Sequence, residues 1–231
     1  MPLRKILEAV ALGIFDCGAF RDKTHPAAIE HNGQRGFKLK LHEKQPNAPL
    51  SPIYLNLRTP DNPKPGPLTP EIVADCATLM RQLVFLDKLD CVCGLPNAGD
   101  PLAHAYLCIE RSAGKPVTLL RLDKEQRGEQ RRIVGPPRGQ FQPGAWVAVV
   151  DDLITKADSK LEGITALEQA GLKIANVLVI VDRQQGGAEM LKNRGYKLHA
   201  LFTLEQLLEI YHERELISAA LHEDILKYLH Q

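Results

Sequence analysis

Two adjacent carboxylates, Asp151 and Asp152, directly follow an apolar run over residues 146–150. Such a run is typical of a strand that is buried on both faces of a sheet. The apolar spacing changes to that of a helix after Ser159, so residues 153–158 are predicted to form a loop. Ligands of open α/β sheets bind at the carboxyl ends of strands, and helix amino ends attract phosphate. The sequence therefore predicts a phosphate-binding loop beside the two acids.

A second segment with chemical potential reads Asp-Arg-Gln-Gln-Gly-Gly, from Asp182 to Gly187, and follows an apolar run over residues 174–181. The run predicts another buried strand. The guanidinium of Arg183 suits a planar acid that carries adjacent oxygens. Gly186 and Gly187 allow the backbone to approach a ligand closely. The alternative interpretation is a charged turn between a strand and a helix, without a ligand.

A third segment, residues 90–103, reads as a strand, a turn and the start of a helix. Asn97, Ala98 and Gly99 lie in the turn, and Asp100 adds a negative charge. Strands and helices alternate from residue 90 to residue 212. This alternation predicts a parallel sheet with helices on both sides, which positions all three segments.

The remaining pattern supplies the other elements. Ile53, Leu55 and Leu57 occupy every second position and so share one face of a strand. Thr69 is placed to cap a helix that starts at Pro70. Thr203 to Gln206 forms a capping box. Further helices are predicted at 3–15, 204–211 and 214–229, and further strands at 37–41, 51–58, 117–121 and 197–202.

Composition excludes several classes of function. The net charge of +1 gives no electrostatic argument for binding to nucleic acid or to a membrane surface, and no apolar run is long enough to span a membrane. The five cysteines contain no Cys-x-x-Cys, which fits a reducing cytoplasm. The histidines show no metal-binding spacing, so no metal site made of protein side chains is expected.

The three segments together resemble type I phosphoribosyltransferases, most closely the orotate branch. The acids resemble the family motif for phosphoribosyl pyrophosphate (PRPP). The resemblance implies that Asp151 and Asp152 contact the ribose hydroxyls, and that a loop wraps the 5′-phosphate. That loop comprises Thr155, Lys156, Ala157, Asp158 and Ser159. The turn implies pyrophosphate contacts at Asn97, Ala98 and Gly99, and the third match implies orotate contacts at Arg183, Gly186 and Gly187.

Two weaker similarities extend the implied site. Residues 51–58 resemble the Ser-Pro-x-Tyr-x-Asp-x-Arg segment of the orotate branch, and Phe37, Leu39 and Lys40 match a segment that precedes it there. Lys40 is thus either a PRPP contact or an exposed strand lysine. The charged segment 122–132 is either solvated surface or the mobile loop that closes over the neighbouring subunit's site in this branch. In the second case Arg121 and Arg127 would stabilise the pyrophosphate.

The resemblance implies a type I phosphoribosyltransferase-like α/β fold, with an N-terminal helix and hood over residues 1–58 and a core over 59–231. It further implies a homodimer that joins orotate to PRPP with Mg²⁺ and gives orotidine monophosphate and pyrophosphate. The alternative is a degenerate member that binds a nucleotide or base without turnover. Lys156, Ala157 and Asp158 favour this alternative, because the family has small residues there. So do Leu122 and Glu125, which occupy the lysine positions of the closing loop.

Overall fold

The computed structural model describes residues 3–31, 33–39, 42, 45–84, 88–127 and 130–230, and gives the backbone alone for residues 126, 127, 130 and 131. Its main sheet has six strands: β5 (Cys91–Gly94), β6 (Thr118–Arg127), β7 (Gln130–Arg138), β8 (Trp146–Ile154), β9 (Lys173–Asp182) and β10 (Leu198–Thr203). The order across the sheet is β10-β9-β8-β5-β6-β7. All neighbours are parallel except β6 and β7, which form an antiparallel hairpin.

Helices cover both faces of this sheet. They are α1 (Leu3–Asp16), α2 (Pro70–Leu83), α3 (Gly99–Ser112), α4 (Asp158–Gln169), α5 (Gly187–Lys192), α6 (Leu204–Glu213) and α7 (Ala219–Leu229). Successive residues of β8 enter opposite cores: Ala148 and Val150 pack with α2 and α3, whereas Val147 and Val149 pack with α4. This alternation confirms the predicted sheet with two buried faces. None of the described helices is long and apolar enough to cross a bilayer.

The N-terminal segment adds two small sheets. β1 (Phe20–Asp22) pairs with β4 (Ile53–Leu55), and β2 (Ile29–His31) pairs with β3 (Gln34–Gly36). The predicted strand at 37–41 is wrong for its described residues, because there only Phe37 makes a bridge, to Ser51. The predicted strand at 51–58 is shorter, although its apolar face is buried as expected. The division at residue 58 stays a prediction.

The described residues of the charged segment 122–132 do not form a loop but continue β6 and begin β7. Closure of this segment over a neighbouring subunit stays a prediction. Leu122 is only 4% exposed and packs in the core that α4 covers. The backbone N–H of Ile133 donates to Glu162 Oε1 of α4 at 2.9 Å. A methyl group on Gly163 would lie 3.4 Å from the side chains of both Leu122 and Ile133. The base of the hairpin is therefore anchored on its own chain's α4.

Two predicted boundaries also move. β8 continues through both acids to Ile154, so the loop before α4 is residues 155–157 rather than 153–158. The last helix begins at Ala219 rather than at residue 214, because Ser218 caps it by accepting from Leu221 N at 3.2 Å. The Thr69 cap and the capping box at Thr203 are confirmed.

Candidate functional site

The three chemical segments meet at one edge of the sheet. Gly94, the last residue of β5, is in register with Val150 of β8, and Val150 is in register with Leu178 of β9. Because the strands are parallel, the turn after β5, the acids of β8 and the turn after β9 leave the sheet on the same side. This edge is where open α/β sheets bind ligands.

Both acids are buried, and one has a partner that the sequence analysis missed. Asp151 is 7% exposed and Asp152 is 8% exposed. Lys160 of α4, itself 4% exposed, donates to Asp151 Oδ2 at 2.6 Å and to the carbonyl oxygen of Leu153 at 2.5 Å. The available signal was position: Lys160 directly precedes Leu161, the first residue of the apolar stripe of α4.

The environment of Asp152 favours its protonated form. Burial, and then the charge of Asp151, raise its pKa to about 7, against the opposing charges of Lys160 and Arg58. Leu153 N donates to Asp152 Oδ1 at 2.7 Å. At neutral pH this carboxyl is therefore balanced between its two protonation states, which makes it sensitive to any charge placed beside it.

The loop predicted to bind phosphate forms without the glycines that the family resemblance led us to expect. Ala157 is fully buried and has φ −83°, and none of the positive-φ residues among those described lies between 155 and 159. Asp158 is the first residue of α4, where a carboxylate interacts favourably with the helix dipole. Lys156 is exposed, whereas Thr155 and Ser159 are half-buried. The replacements at 157 and 158 therefore do not strain the backbone.

The turn after β9 packs directly against this loop. Gly187 N donates to the carbonyl oxygen of Thr155 at 2.9 Å. A methyl group on Gly187 would lie 2.6 Å from that oxygen, so only glycine permits the contact. Gly186 instead has φ +88° and is exposed, and a methyl group there would meet no atom within 4 Å. The two glycines therefore serve different purposes, close approach and chain reversal.

The turn after β5 packs against the acids. Gly99 is buried, and a methyl group on it would lie 3.1 Å from Asp151 Cα. Asn97 and Ala98 are half-buried in the turn, and Lys124 Nζ donates to the carbonyl oxygen of Pro96 at 3.5 Å. Lys124 of β6 thus brings an ammonium group to a turn that has no lysine of its own.

Charges of both signs surround this turn. Burial raises the pKa of Asp100 to about 6, with Arg121 opposing the rise and Asp151 adding to it. Arg121 is exposed and lies in register with Gly94 at the end of β5. The negative charge that Asp100 adds to the turn is therefore offset by a nearby guanidinium.

Arg183 is a buried cation with unused hydrogen-bonding capacity. It is 3% exposed, its Nη2 donates to Ser51 Oγ at 3.4 Å, and its Nε has no partner among the described residues. Burial lowers its pKa. Ser51 in turn donates to the carbonyl oxygen of Ile53 at 2.7 Å. A buried donor without a partner is costly, and a ligand oxygen could supply the missing hydrogen bond.

Arg58 is a further cation that the sequence analysis did not assign to the site. Its Nη1 donates to the hydroxyl of Tyr54 at 2.9 Å. Burial by itself would lower its pKa, but this hydrogen bond and the charges of Asp152 and Asp151 outweigh burial and raise it. Arg58 therefore belongs to the electrostatic surroundings of the acids, although it follows β4 in the N-terminal segment.

Lys40 and Arg127 remain of the predicted site residues. Lys40 lies outside the described residues. Arg127 is six residues beyond Arg121 in β6, so its backbone lies about 20 Å along the strand at roughly 3.3 Å per residue. Within one chain, the described site consists of a turn suited to one phosphate group, a loop suited to another, two acids and a buried guanidinium.

Comparison with known proteins identifies similar sequences. No protein-family model matches the chain. An orotate phosphoribosyltransferase of Chlamydia caviae is 32% identical over 159 residues, which cover 69% of this chain and 72% of that protein. The uridine 5′-monophosphate synthase of Bos taurus is 29% identical over 184 residues, or 78% of this chain. The matched segment spans only 35% of the bovine protein's length.

A solved structure shows the same architecture. The structure of Leishmania donovani UMP synthase superposes with a TM-score of 0.71 and 25% sequence identity. The superposition covers 97% of this chain and 42% of that one. The mostly parallel sheet, its covering helices and the N-terminal additions therefore occur together in a known protein.

Proposed function

Because the chain belongs to the orotate phosphoribosyltransferase family, we propose that it transfers the phosphoribosyl group of PRPP to orotate. The products are orotidine monophosphate and pyrophosphate. The observation that carries this proposal is Arg183, a buried guanidinium with an unpartnered Nε at the sheet edge that also presents the two acids. Orotate is a planar acid, and a guanidinium fork can bind its carboxylate.

The site residues take the following roles in the proposal. Asp151 and Asp152 contact the ribose and stabilise positive charge that develops on it. Thr155 to Ser159 hold the 5′-phosphate at the amino end of α4. Asn97, Ala98 and Gly99 approach the pyrophosphate, whose leaving charge Arg121 stabilises, while Gly186 and Gly187 shape the orotate side. Most of the rate enhancement then comes from positioning and from charge stabilisation.

Magnesium enters the proposal as part of the PRPP complex. Among the described residues, no group of three or more histidine, cysteine, aspartate or glutamate side chains could hold a metal ion. Asp151 is already paired with Lys160. Mg²⁺ would therefore be held mainly by oxygens of PRPP, where it would neutralise charge on the leaving pyrophosphate.

We also propose a cytoplasmic homodimer. The β6–β7 hairpin carries Arg127 about 20 Å along the strand from the turn that its own Arg121 adjoins. An arm of that length suits a neighbouring subunit's site better than its own. Lys40, if it contacts PRPP, completes the site from the N-terminal segment.

The experiment that tests the function mixes protein, PRPP, Mg²⁺ and orotate, and measures both pyrophosphate and orotidine monophosphate. We expect both products in equal amounts. Arg183→Ala should remove turnover and also the increase in melting temperature that orotidine monophosphate produces by binding the folded state. Arg194→Ala, at an exposed arginine, is the matched control and should behave as wild type.

The outcomes separate the proposal from the degenerate alternative. Binding of PRPP or orotidine monophosphate without any product would favour a protein that has kept the pocket and lost turnover. Products from a different base would overturn the orotate assignment. The described backbone favours the active form, because residues 155–159 form the loop without positive φ angles.

A further inference from the structure

Resting on the proposed function, we propose that Lys160 is a positioning residue of the ribose site. Its ammonium holds one oxygen of Asp151 and the carbonyl of Leu153, so that the other Asp151 oxygen is presented to the ribose. The same charge keeps the pair of acids from carrying an unbalanced negative charge beside an anionic substrate.

The burial of Lys160 and its two hydrogen bonds support this role. Lysine is almost never fully buried unless it is paired. Here the side chain is 5% exposed, and the carboxylate that it pairs with is 9% exposed. Its two hydrogen bonds, at 2.6 Å and 2.5 Å, fasten the first turn of α4 to the end of β8 on both sides of Asp152.

The surrounding charges show why the site needs this ammonium. Two elements place charged groups near the acids: α3 contributes Asp100, which interacts with Asp151 and with Arg121 of β6, and the segment after β4 contributes Arg58. The charges of Asp151, Lys160 and Arg58 each influence the pKa of Asp152. Among the described residues, Arg58 is the other cation that influences Asp152, and its Nη1 also donates to the hydroxyl of Tyr54.

The test compares Lys160→Met, which keeps length and loses charge, with Lys160→Arg, which keeps charge. Lys192→Met, at an exposed helical lysine, is the control. Lys160→Met should lower kcat/KM for PRPP on the order of 10²-fold, as expected when a reacting group is misplaced. Its pH profile should also move, with the acid limb displaced upward by about one unit because a nearby cation has been removed. Lys160→Arg should recover part of both losses.

A second measurement remains informative if wild type makes no product. Carbon-13 NMR of the aspartate carboxyls follows Asp152 in the ligand-free protein as pH is varied. In Lys160→Met we expect its titration to move to higher pH, and in Lys192→Met to stay as in wild type. An unchanged titration and an unchanged PRPP pH profile would each overturn the proposed role. Failure of wild type to turn over, with the shifted titration, would instead count against the proposed function alone. Should Lys160→Met fail to fold, Lys160→Gln, which also removes the charge, replaces it in both measurements with the same expected results.

Discussion

The close contact between α3 and the end of β8 gives the sharpest mutational prediction. A methyl group on Gly99 would lie 3.0 Å from the carbonyl carbon of Val150 and 3.1 Å from Asp151 Cα, and would overlap the Val150 oxygen. Carbon atoms in ordinary contact are about 3.5–4.0 Å apart, so Gly99→Ala must move backbone by about 0.5–1 Å. The neighbours cannot give way by changing a rotamer, because the obstructing atoms belong to the main chain.

Two effects of different size should follow from that displacement. Overpacking of this kind costs about 1–3 kcal/mol in the free energy of unfolding. The shift separates the turn that we propose to bind pyrophosphate from Asp151, and a misplacement of about 1 Å costs on the order of 10²-fold in rate. Gly99→Ala should therefore lose far more activity than its loss of stability explains.

The assay pairs urea unfolding with the rate of pyrophosphate release from PRPP and orotate. Gly13→Ala is the control, because a methyl group there would lie 3.6 Å from the side chain of Ile72 and the residue is inside a helix. That control should gain about 0.5–1 kcal/mol and keep its activity. A Gly99→Ala protein with the stability and rate of wild type would refute the reasoning. So would a loss of stability without a loss of rate.

Three further predictions address the other features of the site. Leu122→Lys should lower the free energy of unfolding in urea by about 3 kcal/mol or more, because it buries an ammonium group in the core. Leu122→Met should lower it by less than about 1.5 kcal/mol. Equal losses for the two variants would contradict a hairpin anchored on α4. The pKa of Asp152 is raised from 3.8 to about 7, so between these values the folded state holds a proton that the unfolded state has lost, and stability falls as pH rises. At pH 8 the free energy of unfolding of Asp152→Asn, measured in urea, should therefore exceed that of wild type by on the order of 1–4 kcal/mol. The same variant should lose PRPP binding in calorimetry. An equal free energy of unfolding at pH 8 would contradict an unfavourable charge on Asp152. Light scattering at micromolar concentration should give a homodimer, and a monomer would rule out a hairpin that serves the neighbouring site.

Local patterns were sufficient for much of the fold. The apolar run before Asp151 marked a strand buried on both faces, because each face of β8 packs against its own layer of helices. The Thr69 cap and the capping box at Thr203 were read from residues within one turn of each helix end, where the interaction is local. The motif residues then indicated which ends of the strands carry chemistry.

The charged segment shows where such patterns fail. Its charges suggested solvated surface or a mobile loop. The structure makes both sides of the hairpin strands, since Leu122 and Ile133 find an apolar surface on α4, and β7 is an edge strand on which proline is tolerated. No local sequence pattern predicts that apolar surface, because it is formed by residues of α4, which lie well after the hairpin in the sequence.

The sequence by itself determined the residue types, the strand and helix periods and the order in which the chemical segments occur along the chain. Tertiary structure alone decided how their charges are balanced. Lys160 became the partner of Asp151 because α4 returns against β8, and Arg183 became a buried cation because the Ser51 segment covers it. The protonation of Asp152 likewise depends on burial and on charges from separate elements. Burial and distance between remote residues are properties of packing, and no local spacing of residues encodes them.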